Sequence, residues 1–196
     1  MTNTRYAGLL LAGLLTACGG SSSSTPANTV TETPTVEPAP IAIGKAGIRP
    51  GVTVTINSVK EESQIGEKGY GPEAQPGETF IVVRYTIKNT SNKPLSSLDQ
   101  PDLELVDGSS QSYAEDTQAS VLAAALNNDI LDGGGDLNPQ VTAKNTAVWK
   151  IAKAPFDKKT WRIKVTIGGL TAKFDKAASW PVDSGDAPAP LIFSLQ

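Results

Sequence analysis

The stretch Glu78–Leu95 constrains the fold more than any other; it reads Glu-Thr-Phe-Ile-Val-Val-Arg-Tyr-Thr-Ile-Lys-Asn-Thr-Ser-Asn-Lys-Pro-Leu. Ile81, Val83, Tyr85 and Ile87 recur at every second position, and Arg84, Thr86 and Lys88 stand between them. Side chains alternate across a strand, so this spacing gives one buried face and one solvated face. Asn89, Ser91, Asn92 and Pro94 end the run, because the first three favour turns and Pro94 has no N–H for a ladder. A strand this long and this β-branched predicts a central place in an antiparallel sheet, against which the other segments must pack.

Those segments have the same character. Val52, Val54 and Ile56 alternate with Thr53, Thr55 and Asn57 after an Arg49-Pro50-Gly51 turn, predicting a strand to about Lys60. Glu61 to Gly77 is a long loop rich in Gly and Pro. Leu103–Val106 is a short strand, Asp107-Gly108 a hairpin signal, and Gln111–Ala114 the return strand. Thr117–Leu126 is the one helical stretch, Ala-rich, with Val121, Leu122 and Leu126 as its apolar side. After a Gly/Asp loop at 127–139, Ala147, Trp149 and Ile151 alternate with Val148 and Lys150. Trp161, Ile163, Val165 and Ile167 then alternate with Arg162, Lys164 and Thr166. Leu170–Phe174 predicts a short edge strand. Ala177–Gln196 reads as a loose tail whose Leu191, Ile192 and Phe193 are apolar enough to dock back. About seven short strands separated by polar turns predict an all-β antiparallel sandwich with one short helix. The 18 Gly and 14 Pro suit so turn-rich a chain.

The N-terminal 40 residues do not fit this pattern. Arg5 precedes the apolar run Tyr6–Leu15, which is too short to span a bilayer and ends in Leu15-Thr16-Ala17-Cys18. Those four residues resemble the bacterial lipobox: an aliphatic residue, a small residue, Gly or Ala, then Cys. The resemblance implies cleavage after Ala17 and a diacylglyceryl thioether on Cys18. The competing readings are an ordinary secreted protein with a chance Cys, or a buried free thiol. Gly19–Pro40 follows, with a Ser21–Ser24 run and scattered Pro but no apolar periodicity, so it cannot bury enough surface to offset its ordering entropy. As a tether it would reach up to ~70 Å if polyproline-like and about 25 Å as a flexible coil. The domain plan is therefore a signal peptide at 1–17, a lipidated N-terminus and disordered linker at 18–40, a sandwich at 41–175, and a C-terminal tail at 176–196.

The order of these pieces carries a family resemblance. A Val-Thr-Val-Thr-Ile strand, a Gly/Pro loop, Phe80–Pro94, Leu103-Glu-Leu-Val-Asp-Gly108 and a late Trp149 strand follow one another. This resembles a family of bacterial lipoproteins with an immunoglobulin-like domain of unknown function, related to a secreted mycobacterial antigen. The similarity covers roughly Ile41 to Gly169 and implies an immunoglobulin-like fold and an envelope location, with no activity. Two departures stand out. Pro139-Gln140 replaces the family's usual Pro-Gly, and the segment at 117–126 is longer than the usual connection. Some members carry a telomere-repeat-binding label. The acidic balance here, 17 Lys plus Arg against 20 Asp plus Glu, offers no basic footprint for nucleic acid.

Composition also narrows the chemistry. There is no His, which removes the usual neutral-pH base, the Ser-His and Cys-His pairs and the commonest metal ligand. A single Cys excludes an intrachain disulfide and Cys-rich metal sites. The one constellation able to carry chemistry is Asp129-Ile-Leu-Asp-Gly-Gly-Gly-Asp-Leu-Asn138. Asp129, Asp132, Asp136 and Asn138 offer oxygen ligands of the kind calcium takes, but the spacing matches neither an EF-hand nor a β-roll repeat. A solvated Gly/Asp loop is the favoured reading, so no metal or cofactor is expected. Trp149, Trp161, Tyr85 and Phe80 could line a groove, but their alternation suits core positions. Glu61 and Glu62 face opposite sides of a strand, Glu73 and Glu78 have no readable separation, and Ser91 with Lys93 lacks a dyad motif. No catalytic residues are assigned. The expectation is a lipid-anchored envelope module, on the cell membrane or outer membrane, that binds an unidentified ligand or protein through loops 61–77 and 127–145. The alternative is a passive structural or assembly lipoprotein that pairs with an envelope protein through a strand edge.

Overall fold

The alternation at Ile81–Ile87 builds the longest strand, β3 (Glu78–Asn89), and two antiparallel sheets form around it. The computed structural model describes residues 39–129, 135–168 and 189–196. All belong to the unit Glu37–Gln196; the unit Met1–Val36 lies outside the described residues, and with it the expected leader, Cys18 and most of the tether. Asp132, the expected strand at Leu170–Phe174 and most of the expected tail also lie outside them.

Among the described residues, β1 (Ala46–Arg49), β2 (Val52–Glu62), β3 and β6 (Thr142–Ala152) form one sheet in the order β1-β2-β3-β6. The other sheet has the order β5-β4-β7-β8, from β4 (Asp102–Val106), β5 (Ser112–Tyr113), β7 (Arg162–Thr166) and β8 (Leu191–Ser194). Helix α1 spans Thr117–Leu126, as the sequence predicts. In chain order β2, β3 and β6 match strands A, B and E of an immunoglobulin sandwich, while β4, β5, β7 and β8 match C, C′, F and G. Helix α1 occupies the chain position of strand D.

The inner faces meet in the main core. Val54, Ile56, Ile81, Val83 and Trp149 come from the first sheet, and Leu105, Ile163, Val165 and Phe193 from the second; each is fully buried. A bulge at Asn57 interrupts the β2–β3 ladder: Ile56 pairs with Tyr85, but Ser58 already pairs with Arg84. The extra residue switches the parity of β2, so Val59 rather than Ser58 points toward the core. The sequence alternation gave no sign of this.

A second, smaller core lies on the opposite face of the first sheet. Phe80 and Val82, on the face of β3 that also carries Arg84, Thr86 and Lys88, are buried with Val148 and Ile65 beneath α1. Here the helix differs from expectation. Ala119, Ser120, Ala123 and Ala124 face the sheet; of the expected apolar side Leu122 packs against this core, whereas Val121 and Leu126 are 62% and 55% exposed. Small side chains let the helix approach the edge of β6 closely enough to bond it. The Val148 N–H donates to Ser120 Oγ at 2.8 Å, and Asp116 N–H donates to the Val148 carbonyl at 2.8 Å. The helix thus satisfies edge groups that a D strand would otherwise pair. The loop before β3 closes over α1, with Gly71 passing so near Ile65 that an added Cβ would lie 1.8 Å from its carbonyl oxygen.

The sandwich also takes in the C-terminal residues. Strand β8 pairs with β7, and Ile41 bridges Phe193 in parallel on its other side. Arg49 donates through Nε and Nη2 to the Ala189 carbonyl at 3.0 and 2.7 Å. Gly47 on β1 permits this closure, since a Cβ there would meet Phe193 Cζ at 2.8 Å.

Candidate functional site

Asp129 is 2% exposed, and its carboxylate accepts from Arg84 Nε at 2.7 Å and Nη2 at 2.9 Å and from Thr146 Oγ1 at 3.2 Å. Its position follows from the end of α1. Asn128 takes φ +51°, its N–H donates to the Ala125 carbonyl, and the Asp129 N–H donates to the Ala124 carbonyl at 2.9 Å. That is a Schellman stop, which holds Asp129 against the outer face of β3 and β6. The first calcium candidate is therefore spent on a fixed, bidentate ion pair. Asp136 and Asn138 are exposed, and Asp132 lies outside the described residues.

Other sequence candidates resolve into packing and turns. Phe80, Tyr85, Trp149 and Trp161 are all buried. Ser91 Oγ lies 2.8 Å from Asn89 Oδ1 and from the Lys93 carbonyl, and the Lys93 N–H donates back to it. What joins Ser91 to Lys93 is thus backbone. Asn89, fully buried, donates to the Lys93 and Leu137 carbonyls and ties this turn to the next loop. Glu61 pairs with Lys158 at 3.4 Å and Glu78 with Lys150 at 3.8 Å.

A cleft among the described residues was not one of the sequence candidates. It measures about 440 Å³ and lies on the solvent face of the second sheet. Val106, Arg162, Lys164 and Ile192 form its floor, alternating with the buried Leu105, Ile163, Val165 and Phe193. The β4–β5 hairpin makes one wall, with Asp107, Ser110 and Ser112, and Ala39 with Pro40 another. The hairpin forms where Asp107-Gly108 predicted it, although the positive φ falls on Ser110 at +66°. Asp107 Oδ1 accepts from the N–H of Ser109 and of Gln111, and Oδ2 from the Tyr113 hydroxyl at 3.2 Å. These bonds, the Gln111 N–H foremost, hold the Asp107 carboxyl below the usual carboxylate range. Burial, then the ionised Asp107, push the Tyr113 hydroxyl above its ordinary value. Tyr113 stacks on Trp161 with centroids 4.8 Å apart, bracing the hairpin against β7.

The register sets the charges. Lys164 lies opposite Glu104 and bonds it at 3.0 Å. Arg162 lies opposite Val106 on one side and Ser194 on the other. Its Nη1 donates to the Lys159 and Trp161 carbonyls, each at 2.7 Å.

A family model described as "Domain of unknown function (DUF4352)" matches residues 41–163. The chain belongs to this family. The match runs from the Ile41 bridge into β7, so most of the cleft falls within it, whereas Ala39, Pro40, Lys164 and Ile192 lie outside. Uncharacterized protein YxkC of Bacillus subtilis (strain 168) is 36% identical over 115 residues, covering 57% of this chain and 62% of that protein. The match thus spans less than two thirds of that relative. A conserved hypothetical protein from Bacillus anthracis superposes with a TM-score of 0.58 at 26% identity, covering 63% of this chain and 88% of the other. The yjhA protein from Bacillus subtilis superposes at 0.52 with 14% identity, covering 79% and 99%, a likeness of fold alone.

Proposed function

We propose that the chain is a lipid-anchored envelope lipoprotein that displays its β-sandwich as a binding module, with the β4–β7–β8 cleft as the binding site. The observation that carries this reading is Leu15-Thr16-Ala17-Cys18 closing an export leader on the only thiol of the chain. Among the described residues no helix is long and apolar enough to cross a membrane, and the proposal places attachment at acylated Cys18. Two acyl chains suffice, since each buried CH₂ contributes about 0.8 kcal/mol and one chain binds only marginally. A binding role, not a catalytic one, is supported by carboxylates committed to ion pairs and turns, as at Asp129, Glu78 and Asp107. The passive alternative would need an open strand edge. At the β6 edge, one of those the two sheets offer, α1 bonds Val148 and the exposed Lys144 and Lys150 stand alongside, a guarded arrangement. Cys18→Ser is expected to leave the domain folded and move it from the membrane fraction to the soluble fraction. Unchanged membrane retention would defeat the anchor.

A further inference from the structure

We infer that the cleft takes the phosphate group of a small phosphate ester, with Arg162 as its anchor, an inference that rests on the reading of this cleft as the binding site. Its starting point is a cation left over by the strand register. Of the three arginines among the described residues, Arg84 holds a carboxylate and Arg49 spends its guanidinium on backbone carbonyls. Arg162 is half-buried and, among the described residues, makes no ion pair. In the β4–β7 ladder Lys164 faces Glu104, but the place that would give Arg162 its carboxylate holds Val106. Asp107, the acid in the cleft wall, turns both oxygens into its own hairpin. The two carbonyl bonds at Nη1 fix the guanidinium, while Nε and Nη2 carry no bond among the described residues. A guanidinium held by one edge with the other free is a preorganised fork for an oxyanion.

The surroundings favour phosphate over carboxylate. Ser110 brings a hydroxyl to the same cleft, and Lys164 an ammonium with donors beyond its bond to Glu104. Ser112 and Thr160 bring hydroxyls held by long bonds, to Glu104 at 3.4 Å and to Asp157 at 3.4 and 3.5 Å. The Arg162 fork, the Lys164 ammonium and the Ser110 hydroxyl together match three phosphate oxygens better than the two of a carboxylate. The apolar floor of Val106 and Ile192 suits the body of the ester, and about 440 Å³ lies within the range of small-ligand sites.

The test uses the full chain extracted in non-ionic detergent and titrated with glycerol phosphate, inorganic phosphate and acetate at matched ionic strength. Calorimetry and the Arg Nε–H resonances provide the readouts. Saturable binding of the phosphate probes is expected, weakened at least about tenfold by Arg162→Gln and only partly restored by Arg162→Lys, which lacks the fork. Val106→Glu supplies the missing cross-strand carboxylate; it should raise the melting temperature and abolish binding. Sedimentation of the Cys18→Ser chain with vesicles containing phosphatidic acid, a phosphomonoester, against phosphatidylcholine alone, separates a lipid headgroup from a soluble ester as the source. Arg162-dependent binding in either arm supports the inference. It is overturned if no phosphate probe saturates, if acetate binds as tightly, or if folded Arg162→Gln and Val106→Glu bind like the wild type. Fractionation of Cys18→Ser reads the anchor separately, so either claim can fail alone.

Discussion

Gln140 holds φ at +64°, and the N–H of Val141 donates to the Asn138 carbonyl at 3.2 Å across it. This is the left-handed slot of a turn. A Cβ there costs about 1–2 kcal/mol, and glycine escapes that cost. The turn therefore keeps the geometry of the Pro-Gly that the family resemblance led one to expect. Gln140→Gly should raise stability by about 1 kcal/mol, seen as a higher urea midpoint at unchanged slope; a lower midpoint would contradict the strain. Glu115 offers a test in pH. Although Glu115 is exposed as a residue, partial desolvation of its carboxyl pushes it above the usual glutamate range, a bond from Ser120 opposes this, and Asp102 and Asp116 add to it. With the folded value raised, stability is full below the ordinary value of about 4.3 and declines as pH rises through the folded value. Glu115→Gln should match the wild type in acid and become the more stable of the two toward neutrality. A gap in melting temperature that stays constant with pH would rule this out.

Helix α1 presses small residues on the sheet, so its sensitivity should be inverted relative to its apolarity. Ala123→Leu should overpack the contact with β6 and cost about 1–3 kcal/mol, whereas Val121→Gln should stay within about 0.5 kcal/mol. Equilibrium unfolding of both settles it, and the reverse order would restore Val121 to the buried face. On β7, Ile163→Asp should cost several kcal/mol by burying an unpaired charge, while Lys164→Gln should cost less than about 1 kcal/mol. Equal effects would mean the strand is turned over. Strands β2, β3 and β7 were legible because alternation marks a strand, and on β7 it reports burial directly. The bulge in β2 and the second buried face of β3 were not legible, since both depend on what packs against them. The face of α1 was not, since the cue for a helix face is large apolar residues and this contact is made by Ala and Ser. Asp129 looked like a loop ligand because its partner Arg84 lies 45 residues away. Arg162 was correctly read as solvent-facing on β7, but only the pairing of β4 with β7 reveals Val106 opposite it.

The whole molecule combines a sandwich with its cleft beside the point where the chain enters at Ala39 and Pro40, and a Ser/Pro-rich stretch leading back to Cys18. Under the proposal that stretch serves as the tether, whose composition would let a folded domain stand off a surface without strain. On this account the fold supplies the binding face and the lipid supplies the location. Cys18 is the residue on which the second half depends. The most direct test is the intact mass and N-terminal sequence of the protein extracted from its own membranes. The account predicts a chain that begins at Cys18 and carries a diacylglyceryl group, with or without a third acyl chain on its amine. A mature N-terminus downstream of Cys18, or a mass without acyl addition, would contradict it.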